Sequence, residues 1–271
     1  MMLSSSAAPT GLRWFQGKKY MSYIRGGDYT HPGEEQAILE TLSPFPKDKN
    51  RLILDVACGL GGTANFIQKN GWGKVVGFDI EPASIEYAKQ AYPGVEFHVS
   101  DVIDVSKTLS DKKFDMICIF SSFLVFNDQK TALKTLHSIA KEDAQLVIFE
   151  YVDLMPVNKN SLIKTEPKNA AFLPLRLENI NEMLKETGWQ CSQLKRMDNE
   201  FKKWYADLLI RIKQIKDEFI TMHGEPEYEK ILGRYTSFYN AFVSASLGGC
   251  ALYAQNLLAL EHQHKPMPIR C

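Results

Sequence analysis

The chain has 271 residues, 45% of them hydrophobic and 24% charged, which is enough to bury one large core or a core with a lid. Its 32 Lys and Arg balance its 32 Asp and Glu, so no nucleic acid or other polyanion is expected as a partner. No apolar run is long enough for membrane insertion, and five cysteines (58, 118, 191, 250 and 271) without C-x-x-C spacing read as reduced thiols of a cytoplasmic protein.

In chain order, residues 1–10 are rich in Ser and Ala but lack a basic start and an apolar stretch, so a disordered tail is expected rather than a signal peptide. Residues 11–50 read as an N-terminal cap. From Trp14 to Gly33 the chain is dense in aromatics and glycines, and a helix over Gly33 to Leu42 is stopped by Pro44 and Pro46.

The next stretch, Leu52-Ile53-Leu54-Asp55-Val56-Ala57-Cys58-Gly59-Leu60-Gly61-Gly62, is a β-rich run ending in a carboxylate and a glycine-rich turn. Thr63 to Lys69 then starts a helix, so backbone N–H groups and a helix N-terminus surround a ligand at the strand's carboxyl end. Gly59, Gly61 and Ala64 satisfy the spacing of a dinucleotide fingerprint. Asp55 argues against that ligand, because a carboxylate stands where a dinucleotide fold wants an apolar side chain. A carboxylate there suits a ligand with a cation, such as the ammonium of a methionine moiety. An NAD-linked oxidoreductase is therefore disfavoured.

A second strand, Lys74 to Asp79, ends in an acid about twenty residues past the first loop glycine, the distance that suits the two hydroxyls of a ribose. Ile80 is placed to cover an adenine face, and Pro82 opens a helix that runs to Ala91. Val95 to Val99 alternates as a third strand and leads into Ser100-Asp101-Val102. Asp115 to Phe120 is a continuous apolar fourth strand, buried on both faces.

The order acid, x, small, x, Gly, x, Gly, filled by Asp55, Ala57, Gly59 and Gly61, resembles the first motif of class I S-adenosylmethionine-dependent methyltransferases. Ala57 replaces the commoner first glycine. The resemblance implies a cofactor site built from Tyr29, Thr30, Asp55, Ala57, Gly59, Gly61, Asp79, Ile80, Asp101, Val102 and Phe120, with Asp101 accepting from the adenine amino group. It implies an α/β Rossmann-like fold with helices on both faces of a seven-stranded sheet, parallel except for the last strand.

Farther along, Gln145 to Tyr151 is a fifth strand, and the connection from Val152 to Leu175 is long enough to be a functional loop. A helix over Arg176 to Thr187 precedes a sixth strand, Gln190 to Met197. Two helices, Phe201 to Met222 and Tyr228 to Ser246, intervene before the last strand, Gly248 to Gln255. The expected division is a core of 51–197 and 248–260, a helical lid of 198–247 roofing a pocket for a small acceptor, and a flexible tail of 261–271. Most lid aromatics are expected to be packing.

From about Tyr20 to Gln255 the arrangement resembles small-molecule N-methyltransferases of the phosphoethanolamine and sarcosine/dimethylglycine types. Tyr29-Thr30-His31-Pro32-Gly33 stands where those enzymes close a tyrosine-led segment on the cofactor, and Gly248-Gly249 matches their last-strand pattern. Where they carry an Asp and, four residues on, a His, this chain has Ser122 and Phe126, which argues against phosphoethanolamine as the acceptor.

The expected activity is transfer of a methyl group to a small-molecule acceptor, an amine nitrogen, by in-line displacement, leaving S-adenosylhomocysteine. A neutral amine needs no strong base. Tyr23, Tyr29 and His31 are the candidates for positioning and gating, and Tyr151, Arg234 and Tyr235 for binding the acceptor. Alternatives are O- or C-methylation of a natural-product or lipid-like acceptor, and an inactive regulatory partner that binds the cofactor. No metal-ligand spacing appears, and a monomer or homodimer is expected.

Overall fold

The computed structural model describes residues 14–155 and 172–257. The tails at 1–10 and 261–271, and most of the Val152–Leu175 connection, lie outside the described residues.

The first half of the core runs β1 (Leu52–Val56), α3 (Gly62–Lys69), β2 (Lys74–Asp79), α4 (Pro82–Ala91), β3 (Glu96–Val99), α5 (Val105–Thr108) and β4 (Phe114–Phe120). Ahead of it lie α1 (Phe15–Arg25) and α2 (Glu34–Leu42). After β4 come a 3₁₀ turn at Phe123–Val125, α6 (Gln129–Ser138), β5 (Ala140–Asp153), α7 (Leu177–Glu186) and β6 (Trp189–Arg196). The chain closes with α8 (Asp198–Gln214), α9 (Lys216–His223), α10 (Glu225–Val243) and β7 (Leu247–Asn256).

The seven strands form one sheet in the order β3-β2-β1-β4-β5-β7-β6. β1 to β5 pair in parallel, and β7 lies antiparallel between β5 and β6. The order reverses between β1 and β4, which opens a crevice at the carboxyl ends of those strands.

Period-two alternation sorts the strand side chains into two layers. Ile53, Val75, Met116, Cys118, Val147, Phe149 and Tyr253 point to one face, where Ile38 of α2, Ile67 of α3, Ile85 of α4 and aromatic rings of α8 and α10 cover them. Leu54, Val76, Ile117, Ile119, Leu146, Ile148 and Leu252 point to the other, under Val105 of α5, Leu133 and Leu136 of α6, and Ile180 and Leu184 of α7. Pro82 is the first residue of α4, as the sequence leads one to expect, because its missing N–H falls where none is needed.

Three elements differ from expectation. The aromatic and glycine-rich segment after Trp14 is a helix, α1, whose Met21 and Ile24 face the core. The single helix expected over Phe201 to Met222 breaks at Ile215 into α8 and α9, so that Phe219 turns inward. β5 is longer than Gln145 to Tyr151, because it goes on pairing with β7 as far as Asp153. No described helix is long and apolar enough to cross a membrane.

Candidate active site

A cavity of about 500 Å³ lies at the carboxyl ends of β1, β2 and β4. One end is lined by the β1–α3 loop and the ends of β2 and β3, through Ala57, Gly59, Asp79, Ile80, Asp101 and Val102. The other end is ringed by Tyr151 of β5, Phe172, Tyr205 of α8, and Tyr235 and Phe238 of α10. α1 closes the side with Trp14, Lys18 and Met21.

The loop is shaped by positive backbone torsions at Ala57 (φ 55°), Gly59 (φ 56°) and Gly61 (φ 88°). Ala57 therefore holds a left-handed conformation that a glycine would adopt at lower cost. Gly61 must lack a side chain, since a Cβ there would sit 2.8 Å from the Phe97 ring. At Gly62 a Cβ would meet the Asp28 carbonyl oxygen at 2.4 Å.

Two carboxylates stand behind this loop. Asp55, 2% exposed, lies in β1 between Gly77 of β2 and Cys118 of β4, and its Oδ2 has no hydrogen-bond partner among the described residues. Burial, reinforced by the charge of Asp79, pushes its pKa up to about 8. Asp79 is fully engaged. Its Oδ1 accepts from the Glu81 N–H at 3.0 Å and its Oδ2 from the Gly59 N–H at 2.9 Å. The Lys18 ammonium donates to both oxygens at 3.1 Å. Lys18 Nζ also reaches Glu81 Oε2 at 3.2 Å and Ser84 Oγ at 3.0 Å.

At the aromatic end, the Tyr151 and Tyr205 hydroxyls hydrogen-bond to each other, and Tyr205 stacks on Tyr235 and Phe238. Burial raises the pKa of both Tyr151 and Tyr205. The Arg234 guanidinium lies 5.7 Å from the Phe238 ring centre, in cation–π range. Ser122 and Phe126 both line the cavity, and Ser122 Oγ donates to the Val56 carbonyl at 3.2 Å.

Of the residues singled out from sequence, Thr30, Ala57, Gly59, Asp79, Ile80, Asp101, Val102, Tyr151, Arg234 and Tyr235 meet at this cavity. Asp55, Gly61 and Phe120, also expected to hold the cofactor, are not among its lining residues. Phe120 packs against His31 and Phe149. The three candidates for positioning and gating are not among the lining residues. Tyr23 is 37% exposed and packs on Phe219 and His223 of α9. The Tyr29 hydroxyl donates to Glu35 at 3.2 Å.

His31 is buried, with Nδ1 3.1 Å from the Pro32 carbonyl oxygen and Nε2 3.0 Å from Thr63 Oγ1. A carbonyl can only accept, so Nδ1 carries the proton and Nε2 accepts from Thr63. Burial lowers the His31 pKa to about 4, so the ring is neutral.

Sequence reasoning missed Lys18 and Met21, which the short spacing along α1 turns to one face together with Trp14. That spacing is visible in the sequence but is masked by Gly17 and the neighbouring Lys19. Tyr205 and Phe238, not singled out among the aromatics of the inserted helices, also line the cavity.

The donor set fits S-adenosylmethionine. A buried carboxylate with an unpartnered oxygen suits an ammonium, an acid at the end of β2 suits a diol, and a loop whose glycines leave no room for a Cβ suits close backbone approach.

Comparison with known proteins agrees. The chain matches the family described as "Methyltransferase domain" over residues 47–219. It is 26% identical over 219 residues to phosphoethanolamine N-methyltransferase of Triticum aestivum, covering 77% of this chain but 42% of that protein. The chain thus spans less than half the length of this relative. Phosphoethanolamine N-methyltransferase 2 of Haemonchus contortus, solved with phosphomonomethylethanolamine and S-adenosylhomocysteine, superposes with a TM-score of 0.74 at 18% identity, over 92% of this chain and 60% of that one. A putative sarcosine dimethylglycine methyltransferase from Galdieria sulphuraria gives 0.69 at 12% identity, over 82% and 83%. By its motif, its sheet order and its family match, the chain belongs to the class I S-adenosylmethionine-dependent methyltransferases.

Proposed function

We propose that this protein transfers a methyl group from S-adenosylmethionine to the nitrogen of a small amine whose body is apolar or aromatic. The observation that carries the reading is a cavity joining the glycine loop to an aromatic chamber, with no histidine among its described lining residues. In this reading Asp55, Ala57, Gly59, Gly61, Asp79, Ile80, Asp101 and Val102 hold the cofactor, and Tyr151, Arg234 and Tyr235 receive the acceptor.

The bound cofactor supplies an activated sulfonium methyl, so the protein's task is alignment and exclusion of water. An amine attacks through its own lone pair and can lose its proton afterwards, whereas an alcohol needs a base during attack. No histidine lines the cavity among the described residues, and the buried tyrosines have raised pKa values, so they are poor bases at neutral pH. Tyr151, Tyr235 and Phe238 line the acceptor end, and aromatic surroundings suit a nitrogen that gains positive charge as the bond forms. Phe126 at the cavity wall supports an apolar acceptor over phosphoethanolamine.

A second reading, methylation of a hydroxyl or carbon on a natural-product or lipid-like acceptor, draws support from the same apolar wall. The two separate in a screen with S-adenosylmethionine carrying a deuterated methyl group, offered primary and secondary amines beside alcohols of matched shape. Mass transfer to the amines is the expected result. Labelling confined to alcohols or carbon acids would replace the first reading by the second.

A further inference from the structure

A carboxylate offers about four lone-pair directions. On Asp79 they are filled by the Gly59 and Glu81 backbone N–H groups and by two contacts from the Lys18 ammonium. A ribose diol donating to Asp79 needs two of those places. The backbone donors belong to the β1–α3 loop and the start of α4 and stay where the chain puts them. The Lys18 contacts are the ones that can leave.

Lys18 also has a place to go. Its Nζ already reaches Glu81 Oε2 at 3.2 Å and Ser84 Oγ at 3.0 Å. α1 stays anchored meanwhile, because the Phe15 N–H donates to Glu81 Oε1 at 2.7 Å. The Lys18 stem lies beside the loop, where a Cβ on Gly59 would stand 3.8 Å from Lys18 Cδ.

We propose that Lys18 is a competitor of the cofactor built into the chain: its ammonium holds Asp79 in the ligand-free protein and yields it to the ribose hydroxyls by shifting onto Glu81 and Ser84. The proposal rests on Asp79 being the diol-binding carboxylate. Lys18 spares the free protein an unpaired buried charge, at the expense of cofactor affinity.

The test is calorimetric binding of S-adenosylhomocysteine, adenosine and 2′,3′-dideoxyadenosine to the wild type, Lys18→Met and Lys18→Arg. Lys18→Met should bind the first two about tenfold tighter, the scale of one charge-assisted contact. Lys18→Arg should bind them more weakly than wild type, since a guanidinium grips a carboxylate through two parallel bonds. Dideoxyadenosine, with no diol to exchange, should bind all three alike.

Unchanged or weaker binding by Lys18→Met, or an equal gain with dideoxyadenosine, overturns the proposal. If Lys18→Met does not fold by circular dichroism, Lys18→Arg still decides, and tighter binding by it overturns the proposal as well. Asp79→Asn separates the two layers of argument. S-adenosylhomocysteine bound normally by that variant would sink the placement of the diol. Loss of binding there, without a gain in Lys18→Met, would sink the role of Lys18 alone.

Discussion

Asp55 holds its proton in the free protein at neutral pH, because burial and the nearby Asp79 push its pKa up to about 8. A cation beside it favours the ionised form, so cofactor binding should release a proton. The free protein must give up that proton whenever the pH lies below about 8, so affinity should rise between about pH 6 and pH 8 and level off above. Calorimetry in two buffers of unlike ionisation heat counts the proton directly. Asp55→Asn should fold, bind S-adenosylmethionine at least about tenfold more weakly and lose the pH dependence; normal binding would displace the cofactor from β1.

Asp55 was legible in the sequence because a carboxylate inside an apolar strand demands a reason. Lys18 was not, since an ammonium between Gly17 and Lys19 looks like any solvated charge until α1 lays it on Asp79. His31 stands out in the sequence for its place in the tyrosine-led segment, and in the fold Thr63 and the Pro32 carbonyl engage both of its ring nitrogens.

Among the elements, the 3₁₀ turn after β4 depends on a group that sequence reading passed over. Glu150, 0% exposed in β5, accepts from the Leu124 N–H at 3.0 Å and from the Tyr151 N–H at 2.9 Å, tying the turn that carries Leu124 to the neighbouring strand. Burial pushes its pKa up to about 8, against an ordinary glutamate value in the unfolded chain. A raised folded pKa means that its stabilising effect is complete below the unfolded pKa and is lost as pH rises through about 8. Urea midpoints measured from about pH 5 to pH 9 should therefore fall for the wild type, and Glu150→Gln, which keeps an acceptor oxygen but cannot ionise, should flatten that fall. An identical slope in the variant would assign the pH dependence elsewhere. The strands and α3, α4 and α7 were legible because short apolar periods and Pro82 or Gly punctuation mark them. The break at Ile215 was not, since no Gly or Pro interrupts the helical pattern there. The bend follows from two demands: α8 buries Phe201 and Tyr205 over the sheet, while α9 buries Phe219 against Tyr20 of α1.

On the scale of the molecule, one apolar cluster runs from Met21 of α1 and Ile38 of α2 through Phe149 on the sheet to Tyr205, Phe219 and Phe238 of the three helices between β6 and β7, the expected cap and lid. Cap, sheet and lid should therefore unfold together, with circular dichroism and Tyr and Trp fluorescence giving coincident transitions. S-adenosylhomocysteine at about a hundred times its dissociation constant should add about 2.7 kcal/mol to that single transition. A separate early transition, insensitive to the ligand, would show the lid to be an independent unit. The fold was legible at this scale from strand order and motif. The identity of the acceptor was not, because it depends on where Tyr151, Tyr205, Tyr235 and Phe238, far apart in sequence, converge.

The position of β7 has a consequence for how the protein comes into being. β6 pairs with β7 and β7 with β5, so β6 has no neighbour in the sheet until the last strand arrives. A ribosome delivering the chain from its N-terminus makes β6, then the three helices of the lid, and only afterwards the strand that joins β6 to the rest. Throughout that interval the flank of β5 stands open, a template for any passing strand. The lid helices emerge during this interval, before the sheet is complete. The last strand, by filling the gap, fixes both ends of the lid insertion at once.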